Sequence, residues 1–236
     1  MFTTRRRFID SLATGTLALG ALPLTLDAMP PDVRGVSRPP AGDAATGTNA
    51  QAAWDTGWGS RLTGRLKTVF DVPEIESGFP VWRASIWSGQ YEQVLHVPLR
   101  DMSTALVLRH NAIVLAMQQS FWDRFGIGKT NRVMHPLTGQ PTDKNPALMG
   151  AADGVPEPYS NFALDRFMAR GGVALACNLA LQFEVVPLIQ KADNLTEAQA
   201  NEKARSLLVP GVILQPSGMF AVIRAQEAGA FYFRAS

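Results

Sequence analysis

RGGVALACNLALQ, residues Arg170 to Gln182, decides how the rest of the chain is read. At its centre VALAC sets five apolar residues in a row behind a glycine pair, and a second apolar run follows. A half-exposed strand alternates apolar and polar residues, whereas a parallel strand covered on both faces is apolar throughout. The stretch reads as a central parallel strand emptying into a helix. The chain's single cysteine, Cys177, stands at that junction.

Working outward, short apolar runs alternate with helical patterns. LKTVFDV (Leu66 to Val72), STALVLRH (Ser103 to His110), GVIL (Gly211 to Leu214) and AFYFR (Ala230 to Arg234) read as the other four strands. Helices are expected over Phe79 to Leu95 and across Ile113, Met117, Ser120 and Phe121. Others are expected over Phe162 to Met168, Leu179 to Gln190 and Thr196 to Leu208, and from Pro216-Ser217-Gly218 to about Gly229. Thr196 and Gln199 have capping-box spacing, in which threonine oxygen and glutamine satisfy free helix amides reciprocally. Strands separated by helices predict an α/β fold: three layers, α/β/α, around a five-stranded, mostly parallel sheet with right-handed crossovers. Residues 131–160 carry five prolines and read as an extended excursion, either a lid or a subunit-contact arm.

The chain has 236 residues, 46% apolar and 18% charged, with a formal charge of +2. Outside the extreme N-terminus no arginine or lysine cluster occurs, so nucleic acid is not an expected partner. At that terminus, Thr4-Arg5-Arg6-Arg7-Phe8-Ile9 has the twin-arginine pattern, followed by a glycine-rich apolar run from Leu12 to Leu26. This run is short for a membrane span. Residues 1–28 read as an export signal with cleavage after Ala28, residues 29–53 as a flexible linker rich in Pro, Gly and Ala, and 54–236 as the domain. The expected location is the periplasm or beyond, with the twin-arginine machinery as a partner and no stable membrane span after cleavage. An uncleaved signal acting as a membrane anchor is the competing reading. One cysteine excludes an internal disulfide despite the oxidising destination.

Catalytic groups in a parallel sheet collect beyond the carboxyl ends of its strands. Cys177, His110 and the segment Gln215 to Gly218 all fall there. Cys177 precedes a helix, whose free amides and dipole favour the reactive thiolate; it also fits a buried small hydrophobe, and both readings stand. His110 is a candidate to orient substrate or pair with Cys177, against the common case of a strand-end histidine bonded to backbone. Arg109 should point to the face opposite His110. His135 would reach the site only from a folded lid, and His96 reads as surface. No metal-ligand spacing, phosphate loop or dinucleotide fingerprint occurs, and the identity of any cofactor stays open. No Gly-x-Ser-x-Gly elbow is present, and Ser217 has no evident base. Trp54 and Trp58, flanked by glycines, mark a docking segment ahead of the first strand.

GGVALACNLAL (Gly171 to Leu181) and PGVILQPSGMFAVIRAQEAGAFYFRAS (Pro210 to Ser236) resemble the DsrE/DsrF-like (YchN-like) sulfur-relay superfamily. The similar pieces are the strand Val212 to Leu214, the turn Pro216 to Gly218, the helix end Arg224 to Gly229 and the aromatic strand Tyr232-Phe233. Ala105 to Met117 adds a second strand and the helix after it, so the resemblance spans about residues 65 to 236. It implies a homo-oligomer and a cysteine that accepts sulfane sulfur as a persulfide and passes it between donor and acceptor proteins. That role would fall to Cys177. The rival expectation is a non-catalytic binding or assembly protein on the same fold.

Overall fold

A computed structural model describes residues 54–236; the export signal read over residues 1–28 and the linker read over 29–53 lie outside the described residues. Five strands form one all-parallel sheet: β1 (Leu66–Val72), β2 (Met102–Leu108), β3 (Val173–Cys177), β4 (Ile213–Gln215) and β5 (Phe231–Arg234). Their order across the sheet is β4-β3-β2-β1-β5. Among the described residues the eight α-helices are α1 (Phe79–Leu95), α2 (Gln119–Phe125), α3 (Ile127–Thr130), α4 (Leu164–Ala169), α5 (Asn178–Ala180), α6 (Val186–Asp193), α7 (Glu197–Ser206) and α8 (Gly218–Glu227). The sequence-derived three-layer α/β/α architecture is the one observed.

Side-chain alternation sorts the strands between two cores. Phe70, Val72, Leu106, Leu108, Ala174 and Ala176 face α1, α2, α4, α6 and α7. Val69, Ala105, Val107, Val173 and Leu175 face Ala221 and Ala225 of α8, with Trp58 completing that side. Trp58 is fully buried in a 3₁₀ turn, Gly57–Arg61, so the glycine-flanked segment docks as a turn beneath the sheet.

The handedness of crossovers explains why α8 is alone. From β1 to β4 the chain steps across the sheet in one direction, and right-handed connections then keep the intervening helices on one face. Reaching β5 requires a return across the sheet to the far side of β1. A right-handed return must use the opposite face, and α8 makes it.

Three expectations are modified by tertiary structure. The run containing Ile113 and Met117 is not one helix: a 3₁₀ segment covers His110–Ala116, Met117 is extended, and α2 starts afterwards. Backbone bonds explain the break, because Gln118 N donates to Leu207 O and Val209 N to Ala116 O. The helix after β3 is interrupted by a π turn, Leu181–Val185, just before Pro187. Proline has no N–H to return to the preceding turn, and a wider turn accommodates the missing donor.

The proline-rich excursion folds back on the body. Buried Asn145 donates to Leu115 O (3.1 Å) and Met117 O (2.8 Å), and Ala147 and Met149 are buried. These bonds satisfy carbonyls freed where the helix breaks, so the excursion replaces lost helix hydrogen bonds. At Thr196 the capping box forms as expected, with its oxygen accepting from Gln199 N.

Candidate functional site

Strand register builds the site. Leu108 of β2 lies beside Ala176 of β3, and Cys177 lies beside Gln215 of β4. One residue beyond, Arg109 falls next to Cys177. By alternation Arg109 shares the α8 face with Val107, opposite His110, as the sequence implies. Asp71 of β1, beside Val107, points the same way.

Asp71 and Arg109 form a bidentate pair: Nε donates to Oδ1 at 2.6 Å and Nη2 to Oδ2 at 2.8 Å. The Tyr232 hydroxyl of β5 donates to the same Oδ2 at 2.9 Å. Asp71 is only 3% exposed, so its charge has left water and these three donors replace hydration. The Asp71 hydrogen bond raises the Arg109 pKa above its ordinary value against the opposing effect of burial; the charges of Asp71, Tyr232 and Cys177 add to the rise. Burial, then the bond to Asp71, pushes the Tyr232 phenol up. Cys177 thus sits within electrostatic reach of a permanently charged guanidinium.

Helix α8 fixes the arginine's position. A β-carbon added at Gly218 would lie 2.6 Å from Arg109 Cδ and 2.8 Å from its Cβ, so only glycine lets the stem pass over the helix start. Ser217 caps that helix, its oxygen accepting from Phe220 N at 3.0 Å.

Cys177 caps the next helical run. Its Sγ accepts from Ala180 N at 3.3 Å, and the residue is 6% exposed. Gln215, its neighbour in register, is fully buried: it accepts from Trp58 Nε1 at 2.9 Å and donates to Asp55 O at 2.7 Å.

This pair of strands is special in the topology. The connection leaving β3 passes over the multi-helix face, and the one leaving β4 passes over the α8 face. Adjacent strands whose carboxyl-end connections part to opposite faces form a topological switch point, the usual ligand position in open α/β sheets. Cys177 ends one of these strands, and the Asp55–Trp58 segment is bonded to Gln215 of the other.

His110 is placed differently. It is exposed, with a left-handed backbone (φ 51°), and its Nδ1 lies 3.8 Å from Glu74 Oε1. No hydrogen bond joins it to Cys177 among the described residues. His135 is held within its own loop, Nε2 against Asp153 O and Nδ1 accepting from Leu137 N and Thr138 N. His96 ends α1 in a left-handed conformation. Among the described residues no group of three His, Cys, Asp or Glu is placed to hold a metal ion, and no helix is long and apolar enough to cross a membrane.

Asp71 and Arg109 are the site residues that motif reading misses. Their signal is an acid inside the buried, apolar half of a strand, VFDV of LKTVFDV, which requires a cation on the same face. No protein-family model matches the chain, and no curated protein is significantly similar to it.

Proposed function

We propose that the protein is an exported sulfane-sulfur carrier in which Cys177 receives sulfur as a persulfide and hands it on. The observation that carries this reading is a lone thiol at the β3–β4 switch point, capping a helix and adjacent to Arg109. The twin-arginine pattern supports export, and the DsrE/DsrF-like resemblance around Cys177 supports sulfur relay.

The chemistry needs no further oxidant. The Cys177 thiolate attacks the outer sulfur of a donor R–S–SH; the donor S–S bond breaks, a new S–S bond forms at Cys177, and the donor leaves as a thiolate. Release to an acceptor thiolate is the reverse exchange. Throughout, a negative charge rests on sulfur, and the Ala180 amide and Arg109 are the groups here that favour it. His110, exposed on the same rim, takes the role of orienting the incoming donor.

Treatment of the purified protein with glutathione persulfide, followed by intact mass spectrometry, tests the assignment. The expected result is a gain of one sulfur atom by the native protein and none by Cys177→Ala. A native thiol that takes up no sulfur, while the unfolded chain does, overturns it.

A second reading, an oligomeric binding or assembly protein, is favoured by one observation. Edge strand β5 exposes Phe231, Tyr232 and Phe233, an aromatic edge of the kind that natural sheets usually cover. Light scattering distinguishes the two readings. Assembly retained in Cys177→Ala but lost in Phe231→Ser/Phe233→Ser, without any sulfur uptake by the native protein, favours this reading; sulfur uptake by a monomer favours the first.

A further inference from the structure

At the opposite, amino end of the sheet a cavity of about 540 Å³ opens between α1 and α4, above the first residues of β2 and the glycine pair that precedes β3. This volume is in the range of small-molecule sites. Its apolar wall includes Leu99, Met102, Phe162 and Phe167.

The polar part of the wall has donors without acceptors. Arg170 Nη1 donates to Asn161 O, and Nη2 to Ser85 Oγ at 3.1 Å. A guanidinium carries five N–H groups, so three are unspent. No carboxylate pairs with Arg170 among the described residues, whereas neighbouring Arg166 has Asp165 at 3.7 Å. Ser85 is buried and spends its oxygen on Arg170. Buried Thr104 spends its own on Trp87 Nε1 at 2.9 Å. Neither hydroxyl proton has an acceptor among the described residues. Partial burial pulls the Arg170 pKa below its ordinary value, although the residue as a whole is exposed. Glu92 is the one carboxylate on the wall, and it is exposed.

We infer that this cavity is a binding site for a small monocarboxylate with a short apolar body. The planar guanidinium matches a carboxylate in a two-bond fork, the hydroxyl protons of Ser85 and Thr104 take its remaining lone pairs, and the phenylalanines cover the apolar body. The site is independent of Cys177, which lies at the other end of β3.

Calorimetric titration of the full chain with hexanoate, and with hexanamide as a neutral match, tests the inference. Hexanoate is expected to bind saturably, at least about tenfold tighter than hexanamide, as a charge-assisted pair requires. Arg170→Met should lose at least about tenfold in hexanoate affinity, Arg170→Lys less, because lysine keeps the charge without the fork. Cys177→Ala should bind as the parent does. A second readout does not depend on how the variants fold. Of the five tryptophan indole signals in a nitrogen–proton NMR spectrum, that of Trp87, bonded to Thr104, should shift most with hexanoate. Equal binding of hexanamide, an unchanged Trp87 signal, or no saturable hexanoate binding would each overturn the site.

Discussion

The two ends of the sheet each carry an arginine, half-buried Arg109 and exposed Arg170, and they treat it in opposite ways. At the carboxyl end Arg109 meets a buried carboxylate of its own chain, in two hydrogen bonds, with Tyr232 on the same oxygen. At the amino end Arg170 meets a carbonyl and a hydroxyl, and its charge goes unmatched. A charge balanced from within has its partners fixed by the fold; a charge left over has donors to spare. Cys177 has the first kind of neighbourhood, and the cavity between α1 and α4 has the second.

The contrast predicts unequal losses of stability. Asp71→Asn leaves the guanidinium without its counter-charge and should cost about 3 kcal/mol, the scale of breaking a buried pair by removing one partner. Arg170→Met removes a cation that no carboxylate balances, and should stay within about 0.5 kcal/mol of the parent, as for ordinary surface changes. Urea unfolding of the two variants measures both. Asp71→Leu combined with Arg109→Met should recover much of the first loss, since an apolar replacement of both partners leaves no orphaned charge. Equal costs at the two ends would break the comparison, and so would a double variant no better than Asp71→Asn.

The same contrast marks how far the sequence can be read. A continuous apolar run delimits β3 to the residue, since burial on both faces leaves no alternative pattern in VALAC, and β1 is as legible from the apolar half of LKTVFDV. Placing Cys177, His110 and Gln215 on one rim needs only the parallel topology. What decides the site is not local. Arg109 and Cys177 are 68 positions apart in the sequence, and only the β2–β3 register brings them together. The break at Met117 depends on backbone bonds to Leu207 and Val209, in a loop that helical periodicity around Ile113 cannot sense. Likewise, the excursion with five prolines reads as a lid or a subunit-contact arm because Asn145, whose side chain bonds it to the body, looks like any turn residue in a proline-rich stretch.

Tyr232 gives the finest test of the balanced end. Tyr232→Phe deletes the third donor to Asp71 and should cost about 1 kcal/mol near neutral pH, the net worth of one hydrogen bond. Its pH dependence has a definite sign. Burial and Asp71 raise the phenol's pKa in the folded state, so the native protein keeps a proton that the unfolded chain releases. Stability from this source is complete below the unfolded value, about pH 10, and is lost as pH rises through the folded one. Phenylalanine has no such proton. The stability gap between parent and Tyr232→Phe should therefore narrow above about pH 10, while the gap between parent and Arg170→Met stays level over the same window. Unfolding curves measured from about pH 9 to about pH 11 resolve this. Parent and Tyr232→Phe lines that stay parallel would mean that the phenol ionises no later in the folded protein than in the unfolded chain, and that the carboxylate's third donor is electrostatically idle.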